Sequence, residues 1–218
     1  MIVANKNIAF KSIFSVYNKY ILKKQFYKVH VSGNENILSR NKDIPTIIFG
    51  NHSNWWDGLI AFYLSFDLWK SDAYMMMDIK QMSKYKFFKC VGAFSVNRES
   101  AAESYESVMY ASKLLKDNNK IVWIFPQGEM LHNDLRPISF QNGLSKLLEL
   151  TGKVNLIPIV FSYEFLMEQR PEVFIKLSPA LTINESYYRK EKSVYLSELL
   201  TGLLDEQNNN RLFSQSSG

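Results

Sequence analysis

The nine residues Gly50-Asn51-His52-Ser53-Asn54-Trp55-Trp56-Asp57-Gly58 follow the apolar run Ile47-Ile48-Phe49 and place a histidine five positions before an aspartate. Histidine can take a proton from a hydroxyl near neutral pH. A carboxylate on its other ring nitrogen fixes the tautomer and stabilises the imidazolium that forms. Five positions along a regular helix turn a side chain through about 140°, which would face His52 and Asp57 apart, so a catalytic pair requires a turn between a strand and a helix. The same residues also suit a simpler arrangement, an Asn or Asp capping the next helix beside a packed histidine.

A base of this kind needs no serine or cysteine nucleophile when the substrate brings the hydroxyl. The single cysteine, Cys90, lies in Phe87-Phe88-Lys89-Cys90-Val91 and reads as a small buried hydrophobe, and Ser53 has no separate base of its own. One cysteine excludes an internal disulfide and fits a reducing compartment. No metal site and no resident cofactor is expected.

The elements that must position this pair follow from composition and periodicity. With 218 residues, 46% of them hydrophobic and 22% charged, the chain can bury a core. The 14% aromatic content suits either a large aromatic core or a membrane interface. The net charge of +5 is uneven: Lys6, Lys11, Lys19, Lys23, Lys24 and Lys28 stand in residues 1–34 with no acid, so the rest of the chain sums to −1. A basic segment attracts anionic partners, and with no nucleic-acid module in the sequence the expected one is a phospholipid surface. From Ile8 to Leu22, Phe10, Ile13, Phe14, Tyr17, Tyr20 and Ile21 fall on one helical face, with Lys11, Ser12, Ser15, Asn18 and Lys19 on the other. This basic amphipathic helix would either lie in a membrane interface or pack on the core. No apolar run of about 18 residues exists, and the N-terminus lacks the pattern of a secretory signal, so a peripheral position on the cytoplasmic side of a membrane is expected.

Beyond a polar stretch to Asp43, strands are expected at Thr46–Gly50, Ala73–Met77, Phe94–Asn97, Lys120–Phe125, Asn155–Ser162, Val173–Leu177 and Ala180–Ile183. Helices are expected at Gly58–Trp69, Ser83–Cys90, Ala101–Lys116, Gly143–Leu150 and Val194–Glu206. Alternation of this kind predicts an α/β fold, a mostly parallel central sheet flanked by helices, with the amphipathic helix at the N-terminus. The expected organisation is a basic helical segment over 1–34, one domain over 35–206, and a disordered polar tail over 207–218.

Four blocks recur in one order: Asn51-His52-Ser53-Asn54-Trp55-Trp56-Asp57, Gly92-Ala93-Phe94-Ser95-Val96-Asn97-Arg98, Ile124-Phe125-Pro126-Gln127-Gly128-Glu129 and Leu156-Ile157-Pro158-Ile159-Val160. From about Thr46 to Leu181 this set resembles the glycerolipid acyltransferase family typified by bacterial 1-acyl-glycerol-3-phosphate acyltransferase. The resemblance implies acyl transfer from acyl-CoA or acyl-carrier protein, as co-substrate, to an acceptor hydroxyl. It implies His52 as general base and Asp57 as its orienter, Gly92 and Arg98 in the acceptor-headgroup wall, and Phe125, Pro126 and Gly128 in the loop beside the reacting carbonyl, with backbone N–H groups near Gly128 meeting the oxyanion.

The departures from the family pattern bear on the acceptor. Where the family has Phe-Pro-Glu-Gly-Thr-Arg this chain has Phe125-Pro126-Gln127-Gly128-Glu129-Met130, and where it often has Pro-Phe-Lys-Lys-Gly this chain has Ser139-Phe140-Gln141-Asn142-Gly143. An arginine fork suits phosphate, whereas Gln127 and Glu129 are better suited to sugar or other hydroxyls, with Arg136 as a partial substitute cation. A lysophospholipid or related lipid hydroxyl is the expected acceptor. A glycolipid is the alternative, and a noncatalytic lipid-binding protein of the same fold is the reading from another class.

Overall fold

The structure, a computed structural model, describes residues 1–183 and 191–215. Among the described residues eight strands form one sheet: β1 (Val29–Ser32), β2 (Thr46–Gly50), β3 (Asp72–Asp78), β4 (Ala93–Val96), β5 (Lys120–Ile124), β6 (Val154–Glu164), β7 (Glu172–Leu177) and β8 (Leu181–Ile183). Their order is β1-β7-β6-β2-β5-β3-β4, with β8 paired to β6. Five of the seven pairings among the described residues are parallel. Only β6 with β7 and β6 with β8 are antiparallel.

The central strands are buried on both faces, which is why they read as continuous apolar runs. In β2, Ile48 joins the core on one side of the sheet while Ile47 and Phe49 join the other. One side is covered by α1 (Ile8–Gln25) and α3 (Trp56–Tyr63), whose end widens into a π turn at Leu64–Leu68, and by the short turns α4 (Ile79–Lys84) and Lys86–Val91. The other side is covered by α5 (Ala101–Leu114), α6 (Gly143–Thr151) and α7 (Glu191–Gln215). A short helix, α2 (Asn34–Leu38), follows β1. Helix α5 begins where the Ser100 hydroxyl accepts the Glu103 N–H at 3.3 Å.

Pro158 lies in a central strand, where proline normally removes a ladder bond. Its carbonyl accepts from Ser178 N at 3.0 Å, so its backbone groups point to the side where β8 pairs with Val154–Leu156 and β7 with Ile159–Glu164. Pro158 falls in the gap between those two partners, where no ladder N–H is required.

Three sequence expectations change. Residues 29–32 pair with β7, so the N-terminal segment is stitched into the sheet and the boundary at 34/35 falls inside the domain. Residues 207–215, expected as tail, continue α7: Leu196, Leu200, Leu203 and Leu204 seat the helix, and buried Gln207 accepts from the Ser162 hydroxyl at 3.2 Å. Residues 216–218 lie outside the described residues. The face assignment in α1 is also different. Phe14, Asn18 and Leu22 point inward, because Asn18 Nδ2 finds the Leu59 carbonyl at 2.8 Å, while Ile13, Val16, Tyr17 and Tyr20 are 57–69% exposed. Lys19 reaches Asp67 at 3.1 Å and Lys11 sits over the Phe66 ring, so both are turned toward the protein. Among the described residues no helix is long and apolar enough to cross a membrane.

Phe14 is 5% exposed and packs against Phe62 and Phe88. Phe14→Ala is expected to cost about 3–5 kcal/mol in denaturant unfolding. A change under about 1 kcal/mol would show that α1 is not part of the core.

Candidate active site

The segments that build the site leave the carboxyl ends of four adjacent parallel strands. His52 follows β2, Asp78 closes β3, Arg98 follows β4 and Phe125 follows β5. Crevices at such strand ends are where open α/β sheets bind ligands. Here they open onto a cavity of about 300 Å³. Leu59, Phe62, Met75 and Phe88 line it with apolar surface, and His52, Arg98, Phe125, Pro126, Gly128 and Met130 also reach it.

The turn after β2 brings His52 and Asp57 together. His52 Nδ1 lies 2.8 Å from Asp57 Oδ2, which also accepts the N–H groups of Ser53 at 2.8 Å and Asn54 at 2.9 Å. A carboxylate surrounded by donors accepts from all of them, so Nδ1 carries a proton toward Asp57 and in the neutral ring Nε2 holds the free lone pair. Asp57 is 0% exposed. Its other oxygen accepts from the Tyr163 hydroxyl at the end of β6. Burial is the main reason the Tyr163 phenol titrates well above its ordinary range, followed by the Asp57 charge and this hydrogen bond; it therefore stays a donor. Asn54 Oδ1 accepts the Trp56 N–H at 3.3 Å just before α3, whose cap residue Trp55 makes no side-chain cap bond, while Asp57 bonds His52.

The histidine is fixed from three further sides. Its ring stacks on Phe125 with centroids 4.6 Å apart, its N–H donates to Gln127 Oε1 at 2.6 Å, and its carbonyl accepts from Leu131 N at 2.9 Å. The loop that supplies these contacts is tied down in turn. Asn133 Oδ1 accepts from Asn51 Nδ2 at 2.7 Å, and Gln141 N donates to the Pro126 carbonyl at 2.7 Å. Gly128 has φ 78°, and a Cβ there would come within 3.2 Å of Arg98 Cδ and of Gln141 Cγ. The left-handed turn favours glycine, and any side chain there would also have to push Arg98 and Gln141 aside by a few tenths of an ångström.

Of the residues expected from sequence, His52, Arg98, Phe125, Pro126 and Gly128 meet at the cavity with Asp57 directly behind, and five expectations shift. Gln127 is 6% exposed and holds the His52 backbone, so it does not face an acceptor. Glu129 is exposed and Gly92 is absent from the cavity wall. Gly92 instead has φ 106° where the Lys6 side chain and the Ala73 carbonyl leave no room for a Cβ. The Gly128 N–H donates to the Phe125 carbonyl at 3.1 Å, which closes the turn and occupies the donor expected to meet the oxyanion. Arg136 is bound to Asp205 of α7 at 2.7 Å and does not reach the cavity.

Tyr163 and Asp78 were missed by sequence reasoning. Asp78 accepts from Arg98 Nε at 3.1 Å and caps α4 through Lys80 N at 2.8 Å; its position just before a helix was the available signal. Tyr163 had none, since 106 residues separate it from Asp57. The other histidines lie elsewhere, His30 against Glu172 and His132 exposed. Cys90 is also off the cavity wall. Among the described residues no group of three or more His, Cys, Asp or Glu could hold a metal ion.

The family model described as acyltransferase matches residues 28–162, more than half of the chain. Comparison with curated proteins finds no match. A crystal structure of the 1-acyl-sn-glycerophosphate acyltransferase PlsC from Thermotoga maritima superposes with a TM-score of 0.61 at 16% identity, covering 90% of this chain and 79% of that one. At that identity the likeness is one of fold. The sequence match across the strand-end segments that build the cavity shows that the chain belongs to the acyltransferase family.

Proposed function

We propose that the protein moves a fatty acyl group from an acyl thioester, carried by coenzyme A or an acyl-carrier protein, to a hydroxyl of a lysophospholipid or related lipid. The observation that carries this reading is a histidine, held by a fully buried carboxylate, facing an otherwise largely apolar cavity. His52 Nε2 takes the acceptor's hydroxyl proton as the oxygen attacks the thioester carbonyl. Asp57 stabilises the imidazolium, and the tetrahedral intermediate then expels the thiolate, which receives that proton. Arg98 is the one permanent cation among the described cavity residues; its Nε–H is given to Asp78, and its other guanidinium N–H groups are the donors available to the developing oxyanion. A noncatalytic lipid binder would gain nothing from burying a charged orienting group behind its histidine.

The exposed stripe of α1 serves as the membrane-facing surface. Next to it, Phe165, Leu166 and Met167 form an exposed apolar tip, and Arg170 ties the following loop to α1 by donating to the Lys23 carbonyl at 2.7 Å. Lys23, Lys24 and Lys28 are exposed beside this surface, where they attract anionic headgroups.

His52→Ala is expected to retain the fold and lose about 10² to 10⁴-fold in kcat, a barrier increase of roughly 3 to 5 kcal/mol. Asp57→Asn should be nearly as harmful. Normal turnover by folded His52→Ala, with product followed by mass spectrometry, would sink the mechanism.

Tyr163→Phe keeps the ring that packs on Phe26 and removes one donor from Asp57. The carboxylate, less satisfied, holds the imidazolium more firmly or takes a proton itself. Either effect protonates the catalytic pair at higher pH, so the acid limb of the pH–rate profile should move up. The flanking charges, Arg98 and Asp78, are unchanged by this substitution. A limb that stays in place would reduce Tyr163 to a packing residue.

Replacing Tyr17 and Tyr20 with Ser should weaken sedimentation with anionic liposomes by roughly tenfold or more, since each buried aromatic contributes about 1.5–3 kcal/mol in full and less when half-inserted. Lys11→Gln with Lys19→Gln should have a much smaller effect. The opposite ranking would place the membrane on another face.

A further inference from the structure

We infer that the acceptor presents an uncharged, hydroxyl-bearing headgroup, a sugar or polyol, in preference to a phosphate monoester. This inference rests on the acyl-transfer reading for its reaction but on the cavity wall alone for its chemistry. Apart from His52, the polar side chains of that wall include Asp78, Gln81, Arg98, Ser104, Gln141 and Asn142. Arg98 donates its Nε–H to Asp78 at 3.1 Å, so the one cation and the one carboxylate among these described residues sum to zero formal charge. Just outside, Lys80 is paired with Glu99. A phosphate monoester carries about −1.5 to −2 charges at neutral pH. Entering this cavity would remove its hydration with no net positive charge to replace it, and would set it beside the Asp78 carboxylate.

The positions at which the family pattern provides cations point the same way. Met130 stands where the third block has arginine, and Gln141 and Asn142 stand where two lysines follow; all three line the cavity. The wall therefore holds amide and hydroxyl groups, which donate and accept, and a carboxylate, which accepts from hydroxyls. This matches a headgroup with several hydroxyls, each both donor and acceptor. The cavity's apolar remainder accommodates alkyl chain whichever headgroup is attached.

Dodecyl β-glucoside and dodecyl phosphate carry the same chain on different headgroups. Titration calorimetry of the full chain with each, below its micelle concentration, is expected to favour the glucoside by about tenfold or more. Met130→Arg with Gln141→Lys should raise affinity for dodecyl phosphate on the order of tenfold. Equal or tighter binding of dodecyl phosphate to the wild-type protein overturns the inference, as does a folded double variant that gains no affinity for it. A parallel turnover assay with palmitoyl-CoA, the glucoside and 1-oleoyl lysophosphatidate separates the two readings. If no acceptor yields a His52-dependent product while the glucoside still binds more tightly, the proposed reaction fails and the headgroup preference stands.

Discussion

A carboxylate with no access to water must be supplied with hydrogen-bond donors by the fold, and Asp57 imposes that requirement here. It receives four: the imidazole of His52, two backbone N–H groups from its own turn, and the phenol of Tyr163. The turn between β2 and α3 has to take one shape for the first three to converge. Strand β6 has to end at the right height for the fourth, which it can do because it lies beside β2 in parallel register. Removing any donor leaves an expensive buried charge, so the arrangement is self-enforcing.

The loop between β5 and α6 gives the histidine its other contacts, and that loop is itself held by distant parts of the chain. Asn133 bonds to Asn51 and to the Phe161 carbonyl, linking the loop to β2 and β6, while Arg136 reaches α7. Aromatic packing from Phe26 to Trp56, the residue before Asp57, and from Phe26 to Tyr163, which bonds Asp57, connects the end of α1 to the carboxylate side of the pair. Site geometry and sheet geometry are therefore not separable.

The sequence made some of this legible and hid the rest for physical reasons. The buried strands announced themselves as apolar runs bounded by glycine and proline, and the His52 turn was readable because its two members are close in the chain. Helix α1 was recognised as a helix, but its inward face was not identified. Apolar residues occur on both of its sides, and only a partner 41 residues away, the Leu59 carbonyl, explains why Asn18 goes inside. Gln127 was assigned to the acceptor because its neighbours are, although its side chain turns back to hold a backbone N–H. Strand β1 was too short to stand out until β7 supplied its ladder. Tyr163 belongs to a buried strand whose pattern gives no hint that its last turn of sequence serves another residue's charge.

The family match ends at residue 162, one residue short of Tyr163, and leaves out both terminal helices. A minimal fragment cut to that span would preserve every side chain that touches the cavity. It would nevertheless lack the phenol behind Asp57, the Phe26 ring that braces it, and the Asp205 anchor of the Arg136 loop. In this protein the recognisable core and the working unit are different lengths of chain. The cavity's inventory of residues is contained in the first, and its rigidity depends on the second.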